Sequence, residues 1–208
     1  MGHRFAIADV NKAAGTRLEI GCGEARAKPG FVTMDVRDLP SVDIVGDATK
    51  LVRDIESDKI TAIYTSHFLE HIPDPHDFIS ELVRISVDGA TWEIIVPHFS
   101  NPWYYSDVTH KTPFGLYSFC YLGEDRVPFR RTVPDYARVP GLTLTAVDLV
   151  FGSLPGWPVR RFSRKLFEKL VNASTWSKEF YEDALTGLVP CYQLNFHLTV
   201  DKSNLPSS

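Results

Sequence analysis

Apolar residues in this chain come in short runs separated by polar or glycine-containing stretches. Residues 17–20 (RLEI), 31–36 (FVTMDV), 42–45 (VDIV), 60–65 (ITAIYT) and 91–96 (TWEIIV) are such runs, and each reads as a strand. Their near-continuous Val, Ile and Leu content predicts strands covered on both faces, as in a parallel sheet. Residues 142–151 and 192–200 alternate apolar with polar positions more strictly, which predicts antiparallel or less deeply buried strands toward one edge. Helical spacing is clearest over 75–86, where Phe78, Leu82 and Ile85 share a face. Asp74 is placed to cap that helix, with Pro75 at its first position. A second helix is expected over 160–171. Strand and helix therefore alternate, which predicts a doubly wound α/β sheet in one domain spanning 1–208.

The candidate chemistry lies at strand ends. In open α/β sheets, ligands bind beyond the carboxyl ends of the strands. The first run leads into Glu19, Gly21, Cys22 and Gly23, a tight turn whose glycines let a ligand approach the main chain. Asp35 ends the second run, where an acid can accept from both hydroxyls of a ribose. Asp47 and Ala48 follow the third run, and Ser66, His67, Phe68, Leu69, Glu70 and His71 follow the fourth. Taken singly, a structural turn or a surface acid accounts for each.

In this order the four features resemble the class I S-adenosylmethionine-dependent methyltransferases, in particular small single-domain members of the methyltransferase type 11 kind. The likeness spans about residues 15–100 and the final strand. It implies a Rossmann-like, three-layer α/β/α fold, mostly parallel with an antiparallel edge strand. It implies S-adenosyl-L-methionine as cofactor, held by Glu19, Gly21, Cys22, Gly23, Asp35, Asp47, Ala48, Ser66 and His67. Asp35 would serve the ribose, and Asp47 with its neighbour the adenine. The G-x-G-x-x-G fingerprint of dinucleotide binders fails, because Arg26 stands three places after Gly23. The chain departs from the family in having only residues 24–30, with Pro29 and Gly30, where a full helix is usual, so that helix is expected to be short or missing. A comparable run of glycine turn, Pro-Gly-Phe, strand and Asp resembles methyltransferases of surface-polysaccharide clusters.

Residues 98–141 follow the fifth strand, where the family places its methyl acceptor. They lack periodicity and are dense in aromatics, among them Phe99, Trp103, Tyr104, Tyr105, Phe114, Tyr117 and Phe119. The segment reads as an insert or lid over a small-molecule or sugar pocket, or as an insert building its own small core. Methyl transfer to oxygen requires removal of a proton, and histidine suits that task. His110, with Asp107 three residues before it, is the first candidate base and His98 the second. Alignment alone also lowers such a barrier, by roughly 7–11 kcal/mol. His71 and His76 are expected at a helix start or in solvent, and His197 in a structural role. Cys22 has no local His or Asp partner that would make it a nucleophile. Transfer to nitrogen or carbon of a secondary metabolite is an alternative, as is a non-catalytic member binding through the insert.

Composition narrows the partners. The 208 residues are 44% hydrophobic and 23% charged, ordinary for a globular protein, with a net charge of −4. That balance argues against nucleic acid as the main partner. The best basic cluster, Arg160, Arg161, Arg164 and Lys165, reads first as a solvated helix face. Cys22, Cys120 and Cys191 are far apart and form no zinc-type spacing, which suits a reducing compartment. No membrane span or leader is read, no metal cluster is expected around Asp35 or Asp47, and the protein is expected to be cytoplasmic. The tail from 203 to 208 is expected to fray.

Overall fold

Each apolar run becomes a strand because one or both of its faces are buried, and the strands join into a single sheet. The structure is a computed structural model that describes residues 5–24, 27–152 and 158–203, with side chains of its longest helix described from Phe162 onward. In chain order the elements are α1 (Ile7–Lys12), β1 (Thr16–Ile20), β2 (Val32–Asp35), β3 (Ile44–Val45), α2 (Ala48–Leu51), β4 (Ile60–Ser66), α3 (Pro75–Ile85) and β5 (Ser86–Pro97). They continue with α4 (Ser118–Leu122), β6 (Glu124–Asp125), β7 (Leu142–Val150), α5 (Pro158–Val171), α6 (Thr175–Phe180) and β8 (Gln193–Val200).

The sheet order is β3-β2-β1-β4-β5-β8-β7-β6. Strands β3, β2, β1, β4 and β5 pair in parallel, and β8 runs antiparallel to both β5 and β7. The antiparallel pairing expected toward one edge is present. The reversed strand lies inside the sheet because β7 and the short β6 extend it further. The strict alternation of β8 follows from this place: Leu194, Phe196, Leu198 and Val200 are buried, and the residues between them are half-buried.

The core joins Leu18, Ile20, Ile63, Trp92 and Ile94 of the strands to Phe78, Ile79 and Leu82 of α3. Helix α3 starts as the sequence predicts. The Asp74 carboxylate accepts from the His76 N–H at 3.1 Å, and Pro75 takes the first helical position. Buried Trp92 donates its indole N–H to Ser86 Oγ, which donates to the Leu82 carbonyl. Strand β5 and α3 are thereby tied through hydroxyl and indole as well as by packing.

Among the described residues no helix joins β1 to β2. Side chains cover the sheet there: the Arg17 guanidinium stands 4.3 Å from the Phe31 ring centre, and Lys28 Nζ stands 3.9 Å from that of Tyr64. The strand registers align Thr33, Glu19, Tyr64, Glu93 and His197 in one polar row across β2, β1, β4, β5 and β8. His197 is thus a half-buried strand residue.

The segment 98–141 is anchored in the common core. Phe114, Leu116 and Phe119 are buried, with the Phe119 ring tilted against that of Phe196 of β8 at 4.7 Å between centres, whereas Trp103, Tyr105 and Tyr136 are exposed. Of the basic cluster, Arg160 and Arg161 lie outside the described side chains. Arg164 donates to the Gly152 and Pro190 carbonyls, and Lys165 pairs with Glu168. Residues 204–208 also lie outside the description. Among the described residues, no helix is long and apolar enough to cross a membrane.

Candidate functional site

The turn after β1 is set by backbone that only glycine adopts easily: Gly21 has φ +72° and Gly23 φ +55°. The Gly21 N–H donates to the Met34 carbonyl at 2.8 Å, which fixes the turn to β2. A Cβ on Gly21 would stand 2.7–2.9 Å from Phe68, whereas one on Gly23 would meet nothing within 4 Å. The first glycine therefore serves close packing, and the second leaves open space beside the main chain.

Asp35 completes this turn. Its Oδ2 accepts from the Gly23 N–H and its Oδ1 from the Arg37 N–H, both at 2.8 Å, and the side chain is buried. Each oxygen keeps a second lone pair for a hydroxyl donor. Glu19, also buried, accepts from the Lys28 N–H at 2.6 Å, while the Lys28 ammonium pairs with Glu93. Asp47 is exposed and caps α2, accepting from the N–H and hydroxyl of Thr49, and Ala48 is buried behind it. Those bonds, the hydroxyl first, hold the Asp47 carboxyl below its ordinary range.

Glu19, Gly21, Cys22, Lys28, Tyr64, Ser66 and His67 line a cavity of ≈ 630 Å³ at the carboxyl ends of β1 and β4. That is the size range of small-molecule sites. Five residues expected there from the sequence thus line one cavity, and Gly23 and Asp35 build the turn beside it. Lys28 and Tyr64 were not anticipated. Tyr64 could have been found as the polar ring in an apolar strand, but Lys28 arrives through the helix-less connection and carries no sequence signal.

His67 is held in left-handed backbone, φ +54°. A non-glycine residue there costs of order 1–3 kcal/mol, and such strain clusters at functional sites. Its N–H donates to the Ile95 carbonyl, its Nε2 meets Gln193 Oε1 at 3.2 Å, and its Nδ1 lies 3.3 Å from Glu70 Oε1. The Glu70 carboxylate raises the His67 pKa, and burial opposes it. The Cys22 thiol is pushed up to about 11 by burial, and then by the charges of Asp35 and Glu19. It is therefore a poor nucleophile at neutral pH.

The two candidate bases differ sharply. His98 is fully buried, with Nδ1 at 2.8 Å from Ser100 Oγ and Nε2 at 2.9 Å from Glu182 Oε2. Both ring nitrogens are engaged, so the expectation of a base at this position has no free nitrogen behind it. His110 has Nδ1 at 2.8 Å from the Tyr104 carbonyl, and its Nε2 lies 3.6 Å from Asp107 Oδ2 and 3.9 Å from Glu70 Oε1. Neither histidine lines the cavity beside Gly21. The segment 98–141 approaches it through Trp103, which packs on Tyr192 at 5.7 Å, as does His67 at 6.1 Å. A second cavity, ≈ 640 Å³, lies between Tyr117, Arg130, Arg131, Trp176 and Glu179 and shares no residue with the first.

No family model matches the sequence, and no curated protein is similar to it. Solved structures are similar over most of the chain. An S-adenosylmethionine-dependent methyltransferase from Archaeoglobus fulgidus is 17% identical, with 92% of this chain and 89% of that one covered and a TM-score of 0.53. The chain has the class I methyltransferase fold. A Haloferax volcanii protein solved in complex with the Trm112 methyltransferase activator is 15% identical, covering 90% of this chain and 82% of that one, with a TM-score of 0.50. The cyclase SpnF is 13% identical, covering 94% and 78%, with a TM-score of 0.52. A methyltransferase fold thus also carries a cyclase. The reaction of this chain has to be argued from its site rather than its fold.

Proposed function

We propose that this protein is an S-adenosylmethionine-dependent methyltransferase acting on a hydroxyl of a small-molecule or sugar acceptor. The observation that carries this reading is the left-handed glycine turn tied to Asp35 beside the cavity at the β1 and β4 ends. The local charge suits the cofactor. Asp35 and Glu19 are both felt at Cys22, while the Lys28 ammonium is neutralised by Glu93. Such a site favours a sulfonium cation over a pyrophosphate. With the cofactor bound, Asp35 would accept from the ribose hydroxyls, Gly23 would leave room for its chain, Cys22 and Tyr64 would supply wall, and Asp47 with Ala48 would serve the adenine side.

When bound, the cofactor supplies a methyl group activated by positive sulfur. The protein's part is alignment of the acceptor oxygen with that methyl and exclusion of water. The insert and Trp103 are the elements placed to do this from the acceptor side. Transfer to nitrogen or carbon would use the same cofactor site. A non-catalytic binding role draws its support from the exposed Trp103 and Tyr105.

Calorimetric titration with S-adenosylmethionine and S-adenosylhomocysteine tests the reading, on wild type, Asp35→Asn and Asp35→Ala. Micromolar binding that weakens at least tenfold in both variants, with denaturation melts showing them folded, is the expected result. Absence of binding to folded wild type overturns it.

A further inference from the structure

Glu70 is the most anomalous side chain among the described residues. It is fully buried, and neither carboxylate oxygen has a hydrogen-bond partner. His67 Nδ1 stands 3.3 Å from Oε1, at ion-pair distance but without hydrogen-bond alignment. A carboxylate shut away from water without donors is costly, and proteins resolve it with a positive partner or a metal.

Two further imidazoles converge on it. Ligand atoms of Glu70, His71 and His110 all lie within 4.8 Å of one another. The hydrogen bonds around the rings decide which nitrogen each offers. His110 Nδ1 faces the Tyr104 carbonyl at 2.8 Å, so Nδ1 carries the proton and Nε2 the lone pair. His71 Nδ1 faces Thr109 Oγ1 at 2.9 Å. That hydroxyl gives its single proton to Asp107 Oδ1 at 2.6 Å, so it accepts from His71 Nδ1 and leaves Nε2 with the lone pair. Each ring is thus oriented through its other nitrogen by a carbonyl or a hydroxyl–carboxylate pair, the outer arrangement that metal-ligating histidines use. The backbone holds the two segments together: Lys111 and Thr112 N–H groups donate to the Glu70 carbonyl at 2.7 and 3.1 Å, and Thr112 Oγ1 donates to the Ile72 carbonyl.

We propose that Glu70, His71 and His110 bind a divalent first-row transition metal of the zinc class. Two imidazoles and one carboxylate are the donor set of an open zinc site, with a fourth position left for water or a ligand hydroxyl. Tetrahedral ligands at roughly 2.0–2.2 Å from the ion stand roughly 3.3–3.6 Å apart, so the triad closes by about 1 Å on binding. The ion neutralises Glu70 and ties the post-β4 segment to the insert. His110 Nε2 is then a ligand, not a free base. This inference stands apart from the methyl-transfer reading, since none of the three residues lines the cavity beside Gly21.

The test uses full-length, tag-free protein stripped with chelator, loaded with Zn²⁺ and freed of excess. Metal analysis is expected to give about one Zn²⁺ per chain, and Co²⁺ loading a visible spectrum of a four- or five-coordinate site. Glu70→Gln, which keeps the shape of the side chain, and His110→Ala are each expected to lower Zn²⁺ affinity at least tenfold. Wild type retaining less than a tenth of an ion per chain overturns the proposal. So does undiminished binding in both variants, and Glu70 is then an ion-pair partner of His67. Cofactor titration on the same preparations reports separately, so failure of one reading is not failure of the other.

Discussion

The buried carboxylates of Asp35 and Glu70 are built in opposite ways. Both oxygens of Asp35 take backbone N–H groups, from Gly23 and from Arg37, and these come from chain close by in sequence. Glu70 takes none, and two imidazoles stand within ion-pair distance of its Oε1, at 3.3 Å for His67 and 3.9 Å for His110. A carboxylate saturated by backbone donors is held in one orientation and turns its spare lone pairs outward, which suits a neutral hydroxyl donor. A carboxylate with no aligned donor keeps a demand for positive charge that His67 meets only in part. The first arrangement suits recognition of a ribose and the second suits a cation. The same residue chemistry therefore serves two tasks, decided by who supplies the donors.

The largest expected effect tests whether the turn around Asp35 is as rigid as this contrast requires. Gly21→Ala places a methyl 2.8 Å from Phe68 Cβ and forces alanine to φ +72°. Left-handed strain and overpacking together predict a loss of about 3 kcal/mol of stability in urea denaturation. A loss below about 1 kcal/mol would show a turn that relaxes easily, and the contrast would weaken. His98→Ala is the next test. It removes a buried imidazole bonded to Glu182, leaving that carboxylate with the Leu116 N–H. The expected cost is about 2 kcal/mol, as for hydrogen bonds to charged groups. Cofactor affinity should change less than twofold. If affinity collapses while stability holds, the interior of the insert belongs to the cofactor site and the two regions are one.

How legible each region was follows from where its donors come from. Glu19, Gly21, Gly23 and Asp35 lie within one strand–turn–strand unit, so spacing along the chain was enough to bring them together. The alternating pattern of 192–200 likewise announced β8, because each side of that strand meets a different environment. The pairing of His98 with Glu182 spans 84 residues, and that of His67 with Gln193 spans 126. Nothing local in the sequence marks such partners. The cap of α2 by Asp47 went unread because four residues make too little periodicity to show a helix. The triad of Glu70, His71 and His110 was missed for a related reason. His71 and Glu70 are adjacent in sequence, and only the return of the segment 98–141 brings His110 beside them.

The smallest effect probes the field that the Asp35 side of the contrast creates. Cys22 sits in the glycine turn with its thiol pushed up to about 11, by burial first and by Asp35 and Glu19 next. At pH 8 about one thiol in a thousand is then ionised, and alkylation by iodoacetamide, read on the Cys22 peptide by mass spectrometry, should run roughly 200-fold slower than for free cysteine. Burial alone would slow it too, so the informative variant is Asp35→Asn, which removes one negative charge and keeps the side chain's outline, while giving up one of its two backbone hydrogen bonds. The thiolate then becomes easier to form, and the rate at Cys22 should rise severalfold, with no such change at buried Cys120 or Cys191. A rate that stays put would mean that the Asp35 charge is not felt at the turn. The preference for a sulfonium cation over a pyrophosphate would then have to rest on Glu19 alone, and the carboxylate saturated by backbone donors would be a structural clasp with no electrostatic reach into the cavity.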